Sequence, residues 1–434
     1  MFSKFWNRDI NRRHFLGAAG AGLALAAMPR SAFGQGSNEI TIWGWSNVWE
    51  PALAAYQAAN PGMKVNFVQS QGPDHYLKVR NALRAGSGIP DVIQADYWAV
   101  PSLGIVNGLA DLTEYGLGDL ESSFIPWTWR QSHFGDKLLA LPWDIGPIDL
   151  LYRDDVFSEF GLTAPATWEQ YAAEGAKLRE QTKDHYFGAF ITNQAAWITG
   201  LLWQAGARHY AIDGTTLRIS INDEPTKRVL AFWQDLIDRQ IVEAVPASTP
   251  EWHTAIDAGR YATYPSAAWA SSGMTRRANV GMGKWRAVAI PQWDGATPAS
   301  ANIGGSILAV PAGSPNPQGG ADFVRFMMTD PDMLSTYVEN NLMPSVASVL
   351  ETPEYINAGV DLFDGQKPRA IFKESAALVD PSFQWSPFQD YADQILMEEL
   401  SSAAAGDRTL VEAIDRVQEQ VATFASEQGF TIAG

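Results

Sequence analysis

Indole rings and carboxylates stand at several points where a predicted strand of this chain ends. The clearest cases follow three predicted strands: Trp45, then Asp96 with Tyr97 and Trp98, then Asp144. Loops at the C-terminal ends of strands form the clefts of α/β sheets. Aromatic rings can stack on the C–H face of a sugar, and a hydrogen bond to a carboxylate contributes about 1.5–3 kcal/mol. The pattern predicts a binding site for a polyhydroxylated small molecule.

Two further rings come from the second half of the chain. Trp269 follows residues 265–268, which we interpret as a turn, and Trp385 ends the segment SFQW. Ser46, Asn47 and Asn193 are weaker polar candidates. The chain holds 17 tryptophans, and since large aromatic side chains are mostly buried, each ring alone fits a core position as well as a binding position.

The alternative chemistry is glycoside hydrolysis by an exported carbohydrate-active enzyme. It would need two carboxylates roughly 5–9.5 Å apart. Asp96 and Asp144 could serve, although no pair is placed together by local spacing. We therefore favour a binding protein with no catalytic residue.

Metal and cofactor sites have little support in the sequence. No two of the histidines after His14 are spaced as metal ligands, and Gly304-Gly305 lacks the strand and Lys–Ser/Thr context of a phosphate loop. We expect no metal and no cofactor. A minor hypothesis assigns Arg276, Arg277 or Arg369 to an anionic sugar derivative, because arginine suits bidentate anion recognition.

The composition narrows the class of protein. A formal net charge of −17 disfavours nucleic acid and anionic lipid as partners. A chain of 434 residues is too long for one ordinary core, so we expect two domains, and the lack of cysteine means that no disulfide holds them. Residues 11–16, NRRHFL, resemble a twin-arginine export signal, and an apolar run and a small-residue cleavage site follow. We assign residues 1–34 to a signal peptide and expect the periplasm.

The predicted elements alternate between strand and helix, which favours the α/β class with parallel pairing and crossover helices. Strands are predicted over 39–43, 64–69, 91–95, 187–192, 285–290 and 306–310, and helices over 48–59, 75–85, 168–181, 195–205, 224–239, 316–329, 388–405 and 409–424. Short apolar runs on either side of PWDIGP, residues 142–147, predict a strand that leaves one sheet and enters another. Residues 291–305 are predicted to cross back.

The order of several motifs resembles the extracellular solute-binding proteins of ATP-driven sugar importers, the family of maltose-binding protein. They are GSGIPDVI (86–93), NGLADLT (107–113), ALPWD (140–144), LYRD (151–154), PATWE (165–169) and GGSILAV (304–310) with the helix over 321–328. The resemblance implies a two-lobed periplasmic-binding-protein fold with hinge crossovers. We place the lobes at 35–143 plus 292–345 and at 144–291 plus 346–434.

The resemblance also implies partners and contacts. The partners would be a sugar, polyol or sugar derivative and the membrane permease of an ABC importer, with the protein a monomer. The ligand-contacting positions would be Trp45, Ser46, Asp96, Tyr97, Asp144, Trp269, Gly304, Gly305, Ser306 and Trp385. Maltodextrin-binding members carry an Asp-Lys pair in the first loop where this chain has Trp45-Ser46-Asn47, so we expect a ligand other than maltose.

Overall fold

A computed structural model describes residues 38–46, 48–213, 216–293, 295 and 297–433. The predicted signal peptide and Asn47 lie outside these residues. Within the described part of the chain, no helix is both long and apolar enough to cross a membrane.

The secondary structure alternates along most of the chain, as the sequence predicts. The strands are β1 Glu39–Gly44, β2 Lys64–Gln69, β3 Val92–Asp96, β4 His133–Phe134, β5 Lys137–Leu138, β6 Leu141–Asp144, β7 Ile148–Arg153, β8 Gly188–Ile191, β9 Tyr210–Asp213, β10 Thr216–Ile219, β11 Val242–Val245, β12 Thr263–Ala267, β13 Trp285–Ala289, β14 Ser306–Ala309 and β15 Thr431–Ala433. The helices are α1 Trp49–Ala59, α2 Gly72–Ala85, α3 Ala99–Gly104, α4 Pro126–Gln131, α5 Asp154–Phe160, α6 Trp168–Gln181, α7 Ala195–Gln204, α8 Glu224–Asp238, α9 Pro250–Ala258, α10 Ala270–Arg277, α11 Pro317–Thr329, α12 Pro331–Glu339, α13 Ala347–Leu350, α14 Pro353–Asn357, α15 Arg369–Ala377, α16 Gln389–Ala404 and α17 Leu410–Glu427.

The first sheet has five strands in the order β2-β1-β3-β14-β6. β1 pairs in parallel with β2 and β3, so the parallel crossovers predicted for the start of the chain are confirmed. β14 returns late in the chain and lies antiparallel between β3 and β6. This insertion brings residues near 96, 144 and 306 onto neighbouring strands.

Three smaller sheets hold most of the remaining strands. They have the orders β12-β7-β13, β11-β8 and β15-β10-β9. The segment at residues 265–267 belongs to β12, so our interpretation of it as a turn was wrong. Its central Ser266 pairs with Asp149 of β7 in a regular antiparallel ladder, which holds Pro265 extended.

The first crossing joins the first sheet to the β12-β7-β13 sheet, as predicted. It is shorter than expected, because Pro142 lies inside β6 and only residues 145–147 separate β6 from β7. β6 is an edge strand, where a missing N–H costs no ladder bond to an outer neighbour.

The second crossing is also shorter than the predicted 291–305. Gln292 bridges to Thr167 and Ser300 bridges to Val379, which leaves residues 301–305 as the crossing. It runs beside the first crossing: Ile303 N–H donates to the Gly146 carbonyl at 2.8 Å, and Ile148 N–H donates to the Ala301 carbonyl at 3.0 Å. The two crossings therefore form one hydrogen-bonded ribbon.

The tryptophans are concentrated in two hydrophobic clusters. One lies beside the first sheet, where the Trp49 and Trp143 ring centroids are 4.8 Å apart. The other covers the smaller sheets, with the Trp197 and Trp233 centroids 5.3 Å apart. Trp143 is fully buried, so the indole in the first crossing motif is a core residue.

Candidate functional site

Three predicted site residues form a row across the first sheet. Ser306 of β14 pairs with Asp96 of β3 on one side and with Asp144 of β6 on the other. Neighbouring strands lie about 4.8 Å apart, so the two aspartates flank the serine at the ends of their strands. The first crossing begins directly after Asp144, and the second ends directly before Ser306.

Burial makes both aspartates reluctant to ionise. It raises the pKa of Asp96 to about 6, although hydrogen bonds from Tyr76 and Trp98 favour the carboxylate. Burial also raises the pKa of Asp144 to about 6, against a hydrogen bond from Ser306, and the negative charge of Asp96 adds to the rise. Asp144 is 8% exposed and its Oδ1 has no hydrogen-bond partner. An unpaired acceptor in a buried place is costly unless a ligand pairs with it.

Gln94 ties the first loop to this row. Its Oε1 accepts from the backbone N–H of Trp45 at 2.9 Å and of Ser46 at 3.1 Å, and from Trp49 Nε1–H at 2.8 Å. Its Nε2 donates to Ser306 Oγ at 2.9 Å. The loop and the row are thus one hydrogen-bonded unit.

Gln94 was not among the predicted site residues, although β3 carried a signal for it. It is the one amide in an otherwise apolar run, two residues before Asp96, and residues two apart on a strand share a face.

Aromatic rings continue the site along α2. The Trp45 ring meets His75 edge-on with centroids 5.3 Å apart, and the Trp98 ring lies 4.4 Å from that of Tyr76. The Tyr76 hydroxyl donates to Asp96. Burial lowers the pKa of His75 to about 4, so its imidazole is neutral at pH 7. The row of aspartates is therefore bordered by partly exposed indoles and not by an imidazolium.

Tyr97 and the two glycines define the shape of the row. Tyr97 is 1% exposed, and its hydroxyl donates to the Asp144 carbonyl at 3.3 Å. Gly304 and Gly305 have φ of +70° and +75°. A Cβ on Gly305 would lie 2.6 Å from the Asp144 carbonyl oxygen and 3.2 Å from Tyr97 Cε2. Only glycine fits there, because the conformation and the space both exclude a side chain.

Trp269 braces the two crossings at their middle. Its Nε1–H donates to the Ile303 carbonyl at 2.7 Å, and a Cβ on Gly146 would lie 2.6 Å from the same nitrogen. The ring remains 39% exposed. Trp269 therefore holds the ribbon and offers an open indole surface next to Gly304.

Trp385 and Asn193 lie apart from the row. Trp385 Nε1–H donates to Gln131 Oε1 at 3.2 Å, and both residues line a cavity of about 580 Å³ whose lining does not include Asp96 or Asp144. Asn193 bonds both polar groups of its amide to the backbone of Ala247. The structure brings the other predicted residues together, whereas Trp385 faces a separate cavity.

A third aspartate, Asp393 of α16, is influenced by the charge of Asp96, and no local sequence pattern pointed to it. Burial raises the pKa of Asp393 to about 7, a hydrogen bond from Gln389 favours its carboxylate, and the charges of Asp390 and Asp96 add to the rise. Asp390 forms an ion pair with Arg80 of α2 at 2.5 Å. These contacts join α16 to the helix that carries the aromatic rings.

The arginines of the anionic-ligand hypothesis lie elsewhere. Arg369 is 4% exposed and donates to the Val338 carbonyl and to Asn341 Oδ1. Arg276 and Arg277 end α10, where each donates to a residue one turn earlier. None of these contacts involves the aspartate row. Within the described residues, no group of three His, Cys, Asp or Glu side chains is placed to hold a metal ion.

A family model and two curated relatives point to the same class of protein. Residues 52–360 match the family model of bacterial extracellular solute-binding proteins. A probable ABC transporter-binding protein of Deinococcus radiodurans is 26% identical over 259 residues, which are 56% of this chain and 61% of that protein. The arabinooligosaccharide-binding protein of Bacillus subtilis is 22% identical over 320 residues, which are 70% of this chain and 72% of that protein.

Solved structures share the fold over nearly the whole chain. The ABC transporter-associated binding protein of B. animalis subsp. lactis, in complex with beta-1,6-galactobiose, is 27% identical with a TM-score of 0.82, covering 92% of this chain and 100% of that chain. The galacto-N-biose-/lacto-N-biose I-binding protein of Bifidobacterium longum, in complex with lacto-N-biose, is 21% identical with a TM-score of 0.81 and the same coverage. The predicted two-lobed fold is confirmed.

Proposed function

The chain belongs to the bacterial extracellular solute-binding proteins, and from this membership we propose that it captures a sugar or sugar derivative for an ABC importer. The observation that supports the proposal is the row Asp96–Ser306–Asp144, with the unpaired Asp144 Oδ1 beside partly exposed indoles. Carboxylates accept hydrogen bonds from sugar hydroxyls, and the indoles offer stacking faces. Similar proteins with solved structures hold disaccharides.

The proposed mechanism is closure of two lobes about the paired crossings. We propose lobes of residues 35–143 plus 292–345 and of 144–291 plus 346–434. Trp45, Ser46, Asp96, Tyr97, Trp98, Asp144, Trp269, Gly304, Gly305 and Ser306 would contribute to the binding site, whereas Trp385, implied by the family resemblance, lines a different cavity. A ligand that contacts both lobes binds the closed form more tightly and so shifts the population toward it. The permease of the importer would recognise that closed form.

The proposed role involves no catalysis. The carboxylates Asp96 and Asp144 also suit the hydrolase alternative in type, but the family and the similar proteins above are binding proteins. We further propose a monomer that is exported to the periplasm through a twin-arginine signal in residues 1–34.

A thermal-shift screen over neutral mono- and disaccharides, polyols and amino sugars tests the proposal. A ligand at 100 times its dissociation constant stabilises the folded protein by about 2.7 kcal/mol, which raises the melting temperature by several degrees. Hits are then incubated with the protein and recovered by chromatography. We expect to recover intact sugar, and release of hydrolysis products would contradict a binding role. If no compound in the panel raised the melting temperature, the proposal that the ligand is a sugar would be contradicted.

A further inference from the structure

Trp385 lines a cavity of about 580 Å³ that the proposed function leaves unused. The lining comes from distant parts of the chain: residues between 130 and 135 with Pro101, and residues 381–385 with Ile212. Small-molecule sites are typically clefts or cavities of about 300–1,000 Å³. This cavity is therefore large enough to hold a ligand of its own, separate from the aspartate row.

Two hydrogen bonds join these parts of the lining. Trp385 Nε1–H donates to Gln131 Oε1 at 3.2 Å, and Arg130 Nη1–H donates to the Pro381 carbonyl at 3.4 Å. Both bonds run from the end of α4 to the segment that precedes α16. The lining is thus a connected unit and not a gap between unrelated loops.

One buried side chain of the lining has a donor without an acceptor. Gln131 is 7% exposed, and its Nε2 has no hydrogen-bond partner in the described part of the chain. A buried N–H group without an acceptor is costly, so an occupant that accepts from it would stabilise the folded protein. Arg130, the preceding residue, is exposed and also lines the cavity with a guanidinium, which only donates.

The lining offers few acceptors in return. No described Asp or Glu belongs to it, although the chain has a formal net charge of −17, and Asp380 beside it is paired with Arg208. The side-chain oxygens of the 381–385 segment already accept: Ser382 Oγ from Arg208 Nε–H at 2.9 Å, and Gln384 Oε1 from Ile212 N–H at 3.3 Å. This balance favours an anion and disfavours a ligand with many hydroxyls.

Aromatic rings form the apolar part of the lining. Phe383 is buried and meets Trp385 nearly edge-on, with centroids 5.0 Å apart and planes at 80°. Trp385 and Phe134 are half-buried and come from the two different parts of the lining. Aromatic rings bury a large apolar area and pair well with another flat ring in offset or edge-to-face contacts. The rings therefore suit a flat, apolar body.

We propose that this cavity is a second binding site and takes a small aromatic carboxylate. The carboxylate accepts from Gln131 Nε2–H and from the Arg130 guanidinium, and the ring lies against Trp385 and Phe134. Hydrogen bonds between an arginine and a carboxylate are among the stronger ones, because both groups are charged. The inference does not depend on the proposed function, since none of these residues belongs to the aspartate row.

Titration calorimetry on the wild-type protein tests the ligand class. The probes are benzoate, trans-cinnamate and indole-3-acetate, each compared with its primary amide, which keeps the ring and removes the charge. Glucuronate serves as a carboxylate on a sugar ring. We expect at least one aromatic carboxylate to bind at least tenfold more tightly than its amide and than glucuronate. Absence of binding by all three, amides that bind equally well, or tightest binding of glucuronate would overturn the proposal.

Variants of the two donors locate the site. Arg130→Gln and Gln131→Met should each weaken the tightest aromatic carboxylate at least fivefold. Arg239→Gln, at an exposed arginine directly after α8, is the control for the lost charge and should change the affinity less than twofold.

The two variants differ in their risk to folding. Gln131→Met also leaves Trp385 Nε1–H without its acceptor, so its fold is checked by circular dichroism. Arg130→Gln replaces an exposed residue and keeps the test decisive if Gln131→Met does not fold. Unchanged affinity in Arg130→Gln, or an equal loss in Arg239→Gln, would overturn the assignment to this cavity.

Discussion

The two sides of the proposed binding site are built by different means. On the sheet side, Asp96, Ser306 and Asp144 are fixed by the register of three paired strands. On the helix side, Asp393 depends on the placement of α16, which contacts α2 through the Arg80–Asp390 ion pair. Strand register therefore fixes the sheet side, whereas the helix side depends on side-chain contacts between α16 and α2. We expect substitutions on the sheet side to have larger effects than those on the helix side.

We expect the largest effect from a substitution on the sheet side, at Gly305. In Gly305→Ala, the new Cβ would lie 2.6 Å from the Asp144 carbonyl oxygen in a residue with φ of +75°. We expect a loss of about 3 kcal/mol in the free energy of unfolding, measured with urea, and loss of sugar binding. Gly365→Ala is the control, because its φ is +82° but nothing lies within 4 Å of the added atom. Equal losses in the two variants would mean that backbone strain, and not the collision, dominates.

A second prediction concerns Asp149, which is fully buried in β7 beyond the first crossing. Burial raises its pKa to about 8, against a hydrogen bond from Ser375. The folded protein keeps a proton that the unfolded chain releases near pH 4, so this group makes stability fall as pH rises from about 4 to 8. Asp149→Asn removes that fall. Its stability advantage over wild type should grow by roughly 3 kcal/mol between pH 5 and 8.

Thermal or urea unfolding of the ligand-free protein at several pH values measures this growth. Asp119→Asn, at an exposed carboxyl in the first half of the chain, is the control. Parallel pH profiles for Asp149→Asn and wild type would contradict the prediction.

Gln94→Met removes hydrogen bonds on the sheet side and leaves every carboxylate in place. Three N–H groups lose their shared acceptor, and Ser306 Oγ loses its donor. We expect about tenfold weaker sugar binding by calorimetry, equivalent to about 1.4 kcal/mol, with some loss of stability because Trp49 Nε1 is left buried. Unchanged affinity would show that the first loop does not depend on Gln94 for its position.

The smallest expected effect tests the helix side. Arg80→Met removes the ion pair to Asp390, whose two side chains are 24% and 23% exposed. A pair of this kind contributes about 1 kcal/mol, so affinity should fall about fivefold for every ligand, without a change in ligand preference. Arg84→Met, at an exposed arginine one turn later on α2, is the control. A change in the ranking of ligands would mean that Arg80 contacts the sugar directly.

The bounds of helices and strands could be predicted from the sequence more accurately than the contacts between distant residues. The bounds of β2 and α6 match the prediction, and α6 begins at the predicted cap, where Thr167 Oγ accepts from Gln170 N–H at 3.2 Å. These signals are local, because they depend on alternation and capping within a few residues. Both crossings were predicted, but each is shorter in the structure than in the prediction. The first is shorter because the edge strand β6 accommodates Pro142, and the second because Gln292 and Ser300 form bridges to other segments.

Which residues lie next to each other in the site depends on long-range strand pairing, which local sequence patterns do not predict. Asp96 and Asp144 were selected from the sequence, but their placement on either side of Ser306 follows from the late insertion of β14 into the sheet. Asp393 lies on a helix with many polar residues, a pattern typical of a solvent-exposed helix, so no local sequence feature separated Asp393 from the others. Trp385 had the expected residue type near a turn, yet the fold gives it a different cavity.

The anchoring of the first loop has a consequence for how this protein can change over time. Gln94 holds positions 45 and 46 through their main-chain N–H groups, which every residue except proline provides. Other side chains could replace those of Trp45 and Ser46 while the loop keeps its course. Ligand preference can thus be retuned there by single substitutions, in evolution or in the laboratory, without rebuilding the scaffold beneath.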